Sequence, residues 1–219
     1  MVQKVGISPL VYTLFLVIFR LLALKLLRGR MNATKRENLE RIIFEHEISH
    51  LIHFTHISNL DSILSHGIVP YSTIKTSDNI HSVGTSDPRL DGNKEATSCS
   101  LDEPNLSLMN KRWRNLGEQA ILVISTKVIL EKICAFFPKN ASRKEYQYKS
   151  KSSLCTHWAF EKMFSNVDGF LEEDAEVQVF GDIETEYFEQ VCIYSDVQRL
   201  KYSKKYADVC FIGFMDRWK

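Results

Sequence analysis

An H-E-x-x-H sequence at His46, Glu47 and His50 is the first group of residues whose spacing could carry chemistry. Histidines four residues apart on a helix share a face and can bind one metal ion, and the glutamate between them could act as a general base. His56 follows at a distance suited to a third zinc ligand. These four residues define one alternative function, that of a zinc metalloprotease.

Three observations weaken the zinc hypothesis. The metzincin pattern requires a glycine where His53 stands, because the helix must turn sharply there and a left-handed turn is costly for histidine. No methionine turn follows. The histidines also lie within about 60° of one another on the predicted helix, opposite its apolar residues, as on a solvated polar face. We therefore expect no metal.

A second group of candidate residues lies on predicted strands. Residues 51–56, LIHFTH, alternate in polarity, so that His53 and Thr55 share one face. Late in the chain Glu176 stands next to the apolar Val177, and alternation turns its carboxylate to the opposite face from that neighbour. From these residues alone, Glu176 is either a surface side chain or a catalytic acid or base.

The elements around these residues predict an α+β fold. A capping asparagine and the spacing of charges predict a helix over residues 32–50. A shorter helix begins near Ser58 and ends at Gly67, and residues 70–95 form a long polar loop of the kind that binds ligands. Apolar and alternating stretches predict strands over residues 118–129, 175–183 and 188–196.

The composition suits one globular domain in the cytoplasm. The chain has 219 residues, of which 44% are hydrophobic and 25% charged, and its formal net charge is +1. Any affinity for nucleic acid must therefore come from a local basic patch. The five cysteines are scattered and contain no C-x-x-C, which argues against a disulfide scaffold and favours a reducing compartment.

Residues 1–30 form an apolar N-terminal extension to a domain predicted over residues 31–219. Within residues 9–27, Arg20 interrupts the apolar run, which is short for a spanning helix of about 20 residues. Three interpretations stay open: an inner-membrane tether, an interfacial or buried helix, and an upstream extension of a chain that starts at Met31. We favour the last.

Several segments, taken in order, resemble the DarT family of bacterial toxins, which use NAD to ADP-ribosylate nucleic acid bases. Residues 51–67 resemble the opening motif of that family, a strand with His-x-Thr-His followed by an Asn-Leu helix and a glycine. Further resemblance lies in residues 86–92, 98–109, 140–142 and 174–183. The last resembles the family's Gln-Ala-Glu strand motif, with Asp174 in place of the usual glutamine.

The resemblance implies an ADP-ribosyltransferase-like fold, with a split, mainly antiparallel sheet and flanking helices. It assigns catalytic roles to Glu176 and Arg89, and it implies that His53, Thr55 and Asn59 bind NAD as co-substrate. The chemistry is consistent with these roles. Breaking the bond between nicotinamide and ribose passes through an oxocarbenium-like transition state, which one fixed carboxylate can stabilise.

Two stretches, at 111–114 and 138–151, combine basic and aromatic residues, as proteins that bind single strands do. The predicted contacts with nucleic acid are Lys111, Arg112, Arg114, Arg143, Lys144 and Tyr146. The resemblance favours single-stranded DNA as the acceptor, and RNA stays open. It also implies a toxin or phage-defence effector with a macrodomain-type antitoxin.

Overall fold

The structure, a computed structural model, describes residues 34–77, 80, 82–83, 92–112, 119–146, 148–165 and 171–218. The chain divides into two compact units, Met1–Asn38 and Leu39–Lys219. In the first unit, the described residues are helical. Residues 9–27, Arg89 and Arg114 lie outside the described residues, as do the side chains of Lys111 and Arg112. None of the helices in the described ranges combines the length and the hydropathy that a membrane crossing needs.

The second unit contains short strands and short helices. Its strands are β1 (His50–His56), β2 (Ala96–Leu101), β3 (Gln119–Ser125), β4 (Cys134–Phe137), β5 (Glu176–Phe180), β6 (Phe188–Ile193) and β7 (Phe211–Gly213). Its helices are α1 (residues 39–45), α2 (Leu60–His66), α3 (Tyr71–Thr76), α4 (Leu106–Arg112), α5 (Lys127–Glu131), α6 (Lys151–Leu154), α7 (His157–Glu161), α8 (Asp196–Lys205) and α9 (Phe214–Arg217). The predicted α+β class is confirmed.

The strands form a seven-stranded sheet in the order β4-β5-β2-β1-β3-β6-β7. Neighbouring strands run antiparallel, except that β6 and β7 are parallel. Strand β1 pairs with β3 along its whole length, from His50↔Ser125 to His56↔Gln119. The mainly antiparallel sheet with flanking helices, which the resemblance implied, is confirmed.

One face of the sheet carries the main hydrophobic core. Leu51 in β1 stands opposite Ile124 in β3 and Leu101 in β2, and all three side chains are buried. Each such side chain contributes about 1.5–3 kcal/mol by leaving water. Helices cover this face through buried side chains that include Ile42, Ile129 and Phe160. The packed core therefore fixes the strands from which the polar candidate residues project.

The helix predicted over residues 32–50 ends early, at residue 45. Glu47 adopts a left-handed conformation with a φ of 52°, and His50 already belongs to β1. This turn buries Ile48 to 5% exposure, whereas Phe44, expected on the same apolar helical face, is 84% exposed. The prediction was wrong here because burial of the chain beyond the turn against the sheet overrides the helical period.

Helix α2 ends where the sequence predicted. Gly67 is its C-cap, with a φ of 82°. A Cβ atom there would lie 2.5 Å from the carbonyl oxygen of Ile183, so both the conformation and the packing require glycine. The α-helix starts at Leu60, two residues after Ser58, because Ile57–Asn59 form a 3-10 turn in which the His56 side chain accepts the Ser58 N–H.

Candidate active site

The sheet is split between β1 and β2. These strands pair at Leu51↔Leu101 and Ile52↔Ser100, and each continues for several residues beyond those pairs. The sheet therefore has two parts, β1-β3-β6-β7 and β4-β5-β2, which are joined at one end of β1 and separate along the rest of it. Such an opening lets polar groups from both parts reach one ligand, which is how many binding sites are built.

Asp102 stabilises the joined end of the two parts. Its Oδ1 accepts hydrogen bonds from the backbone N–H groups of Ser49 at 2.8 Å and His50 at 2.9 Å. The residue has a φ of 55°, which aspartate tolerates better than most residues. This carboxylate fixes the point at which β1 enters the sheet, and so it fixes the position of His53 farther along the strand.

His53 and Thr55 share one face of β1, as alternation predicted, opposite Leu122 and Ala120 of β3. The Nδ1 atom of His53 lies 2.9 Å from the carbonyl oxygen of Ser98 in β2. Because a carbonyl oxygen can only accept, Nδ1 carries the proton and donates, and Nε2 is the second polar atom of the ring. This hydrogen bond links the two parts of the sheet beyond the point where their strands separate.

Asn59 anchors a backbone segment beside Thr55. It is 5% exposed, and its Nδ2 donates to Thr55 Oγ1 at 3.0 Å and to the Val83 carbonyl at 2.9 Å. Its Oδ1 accepts the Val83 N–H at 2.7 Å. The loop predicted over residues 70–95 thus begins with helix α3 and is held at Val83 by two hydrogen bonds. Direct contact between Asn59 and NAD stays a prediction.

The Glu176 carboxylate is held in place at the start of β5. Glu176 is 8% exposed. Its Oε2 accepts the Ala141 N–H at 2.9 Å, and its Oε1 accepts the Gln178 amide at 3.0 Å. One donor on each oxygen fixes the orientation of the carboxylate, while each oxygen keeps a further lone pair that a ligand can use.

Gln178 connects the carboxylate to the other side of the site. Its side chain is fully buried, and it stands opposite Ser98, the residue whose carbonyl accepts from His53. Its Oε1 accepts from Asn93 Nδ2 at 2.6 Å. Glu176 and His53, the two residues on which the sequence prediction depended most, are thereby linked through Gln178 and Ser98 across β5 and β2.

We did not predict Gln178, Asn93 or Ala141 as parts of the site. A signal existed for Gln178, since a residue two positions after Glu176 in a strand shares its face. Asn93 and Ala141 lie in connecting segments, where no sequence periodicity indicates which way a donor points.

A buried cysteine and a surface ion pair are the next ionisable groups of the site. Burial raises the pKa of the Cys99 thiol well above its usual range, and the neighbouring Cys134 and Glu176 raise it further. Cys99 is therefore a thiol at neutral pH and no nucleophile. Nearer the surface, Asp174 pairs with the Arg143 guanidinium at 2.6 Å. Residues 141–143 and 174–176 are thus joined at two points.

The predicted nucleic-acid contacts lie in different environments. Arg143 is 48% exposed and paired with Asp174, and Lys144 is exposed. Tyr146 is 7% exposed, and its ring packs edge-on against Phe137 with centroids 5.2 Å apart. Burial raises the pKa of Tyr146 to about 12. The expectation that Tyr146 stacks on a base is wrong, because its apolar ring is part of the core.

The predicted zinc motif does not form. His46 stacks on Phe164 with ring centroids 3.9 Å apart, whereas His50 lies in β1 and pairs with Glu189 at 3.0 Å. The left-handed Glu47 separates the two histidines, so no helical face brings them together. Within the described ranges, no three His, Cys, Asp or Glu side chains are grouped to hold a metal ion. This geometry corrects the metalloprotease alternative, which also required His56.

Comparisons with known proteins agree with the resemblance. The family model described as "ssDNA thymidine ADP-ribosyltransferase, DarT" matches residues 52–211. No curated protein sequence matches the chain. Thermosipho africanus DarTG in complex with ADP-ribose has a similar fold, with a TM-score of 0.59 and 16% identity over 78% of this chain and 51% of that one.

Thermus sp. 2.9 DarT in complex with carba-NAD+ is also similar, with a TM-score of 0.50 and 15% identity over 79% of this chain and 99% of that one. The chain spans about half the length of the Thermosipho protein. These likenesses confirm the predicted ADP-ribosyltransferase-like fold. Because the family model covers well over half of its residues, the chain belongs to the DarT family of single-stranded DNA thymidine ADP-ribosyltransferases.

Proposed function

We propose that this chain transfers one ADP-ribosyl group from NAD to thymine in single-stranded DNA, with Glu176 as the catalytic carboxylate. The observation that supports this role is the buried carboxylate that Ala141 and Gln178 hold in one orientation. Membership of the family supports the activity. A reaction that depends on positioning needs a fixed carboxylate, which an exposed and freely rotating glutamate would not supply.

The reaction breaks the bond between ribose C1′ and the nicotinamide nitrogen, and nicotinamide leaves with the electron pair. Positive charge develops on the ribose, where the Glu176 carboxylate stabilises it. In thymidine, N3 is the ring nitrogen that bears a proton. It attacks C1′, and its proton passes to Glu176 as the new bond forms.

We assign the binding of NAD to the β1 side of the opening. His53 and Thr55 share the face of β1 on which His53 contacts Ser98, and Asn59 lies beside Thr55 at the start of α2. Arg89 follows in the chain, and we assign it to the phosphates of NAD or to the acceptor base, because a guanidinium pairs well with either.

We assign the acceptor strand to basic side chains, because phosphate contacts provide most of the affinity for a single strand. The assigned residues are Lys111, Arg112, Arg114, Arg143 and Lys144. RNA is the second acceptor to test, since an NAD site does not by itself distinguish the two nucleic acids.

We further propose that the chain acts in the cytoplasm as a toxin or phage-defence effector and that a macrodomain-type antitoxin neutralises it. Family membership and the likeness to a protein named DarTG support this role. Membrane contact through residues 9–27 is a separate proposal, based on their apolar sequence.

The test is to incubate the full chain with NAD and either single-stranded DNA or RNA, digest the product to nucleosides and identify adducts by mass spectrometry. We expect an ADP-ribosyl adduct on thymidine. Glu176→Gln should lower kcat by at least about 100-fold, since it removes the charge that stabilises the transition state.

Glu173→Gln is the matched control, because Glu173 is exposed and its hydrogen bond from the Ser107 N–H can also be accepted by a glutamine oxygen. Its activity should stay unchanged. Full activity of Glu176→Gln would contradict the catalytic assignment. Adducts found in RNA and not in DNA would contradict the acceptor.

A further inference from the structure

Gln178 is a buried polar side chain that forms hydrogen bonds with Glu176 and Asn93. Its exposure is 0%, so its amide has no access to water, and such a group is stable only when it is hydrogen bonded. It donates to Glu176 Oε1 at 3.0 Å and accepts from Asn93 Nδ2 at 2.6 Å. The side chain therefore joins the carboxylate to a residue in the segment before β2.

These partners settle which way the amide faces. The ionised Glu176 carboxylate can only accept, so the Gln178 atom that faces it must be the amide nitrogen, and the amide oxygen then faces the Asn93 N–H. A carboxylate cannot donate, so the reverse orientation would place two acceptors against each other. Glu176 and Gln178 thus fix each other's orientation, and Asn93 holds the other end of the Gln178 amide.

The two donors to the Glu176 carboxylate differ in origin. Ala141 supplies a backbone N–H to Oε2, so substitution of that residue leaves the donor in place. Gln178 supplies a side-chain donor to Oε1 from the same strand. Gln178 is therefore the residue through which the orientation of the carboxylate can be changed.

We propose that Gln178 is a positioning residue of the transfer reaction, which holds the Glu176 carboxylate in its reactive orientation and is itself held by a hydrogen bond from Asn93. This inference rests on the proposed function of Glu176. Small displacements of a reacting group are costly, since misplacement by about 1 Å lowers rates by about 100-fold in other enzymes.

Two substitutions and a matched control test this role in the full chain. Gln178→Met keeps the length of the side chain and removes the donor. Gln178→Glu keeps its shape and places a carboxylate against that of Glu176. Gln119→Met is the control, because Gln119 is also a buried glutamine, with 3% exposure, but lies in β3 in the other part of the sheet.

For Gln178→Met we expect kcat to fall about 10- to 100-fold, with KM for NAD within about twofold of the wild type. The melting temperature should fall further than in Gln119→Met, because Glu176 and Asn93 each lose a hydrogen bond, but the variant should stay folded. In Gln119→Met, kcat should stay within about twofold of the wild type. Unchanged kcat in Gln178→Met, or an equal loss of kcat in the control, would overturn the proposal.

Gln178→Glu allows a measurement, the pH dependence of kcat, that would not change if Gln178 had only a structural role. Adjacent carboxylates cannot easily both ionise, so the acidic limb of the pH–kcat profile should shift upwards by about one pH unit or more. The other ionisable groups near Glu176, which are Cys99, Asp174 and Arg143, are the same in both proteins. An acidic limb at the same pH as in the wild type would contradict the proposal.

The same variants separate this inference from the proposed function. A wild-type chain that transfers no ADP-ribose would refute the proposed function. Titration of the Glu176 carboxyl carbon can be followed by NMR even in an inactive protein. The midpoint of this titration should lie at higher pH in Gln178→Glu than in the wild type. An identical titration in both proteins would refute the contact between Gln178 and Glu176 on its own.

Discussion

Asn59→Ala should release the backbone at Val83 and weaken NAD binding. Asn59 makes two hydrogen bonds with the peptide groups of Val83 and one with Thr55. A hydrogen bond contributes about 1 kcal/mol net. Val83 is 53% exposed, so its peptide groups can bond to water instead, and the loss of its two bonds should weaken the anchor by roughly 2 kcal/mol.

A change of roughly 2 kcal/mol shifts an opening equilibrium about 30-fold. The amide hydrogen of Val83 should therefore exchange with solvent about 30-fold faster in Asn59→Ala, as measured by NMR or mass spectrometry without ligand. KM for NAD should rise, because the released segment leads towards Arg89, which we assign to NAD or the acceptor base.

Ser58→Ala is the control for this measurement. Its hydroxyl bonds to His56 Nδ1 at 2.7 Å, whereas the peptide groups of Val83 bond to Asn59, so exchange at Val83 should stay at the wild-type rate. Equal exchange at Val83 in the wild type and in Asn59→Ala would refute the anchoring role. Faster exchange with an unchanged KM for NAD would show that the anchor does not serve the cofactor.

Two predictions concern stability. Burial acts to raise the pKa of Asp61, but hydrogen bonds from Lys205 and Tyr206 lower it below its ordinary value, so the charged form stabilises the fold. Asp61→Asn should cost about 0.5–1 kcal/mol in urea unfolding at pH 7, and this difference should fade as the pH falls below about 3.9; a constant difference would contradict the ion pair. Tyr146→Ala should lower the free energy of unfolding by about 3 kcal/mol, because the Tyr146 ring is buried in the core. A variant with full stability but weaker DNA binding would instead support stacking of Tyr146 on a base.

The alternation of polar and apolar residues along the strands located the main site residues, because this pattern is a local property of the sequence. His53 and Thr55 were placed on one face of β1, and Glu176 was placed on a late strand with its carboxylate opposite Val177. The regular pairing of β1 with β3 and of β5 with β4 confirms that these residues lie in extended strands, in which side chains alternate between faces. Gly67 was predictable for a related reason, since a helix end of this kind favours glycine.

The remaining features depend on contacts between distant segments. Glu47 ends the first helix because burial of the residues after it overrides the helical pattern. Tyr146 lies in a polar stretch, but its ring fills a gap beside Phe137 in β4, a four-residue strand too short for us to predict. The Gln178 amide is held by Asn93, which precedes it by 85 positions, and no local sequence pattern indicates such a distant pairing.

A crystal structure of the chain with carba-NAD, an unreactive analogue of the co-substrate, would test the central claim most directly. We predict that the analogue binds in the opening between β1 and β2, with the Glu176 carboxylate within about 3.2 Å of the ribose 2′-hydroxyl and His53 against the same dinucleotide. An analogue bound elsewhere, or one whose ribose lies away from Glu176, would contradict the assignment of this carboxylate as the catalytic group.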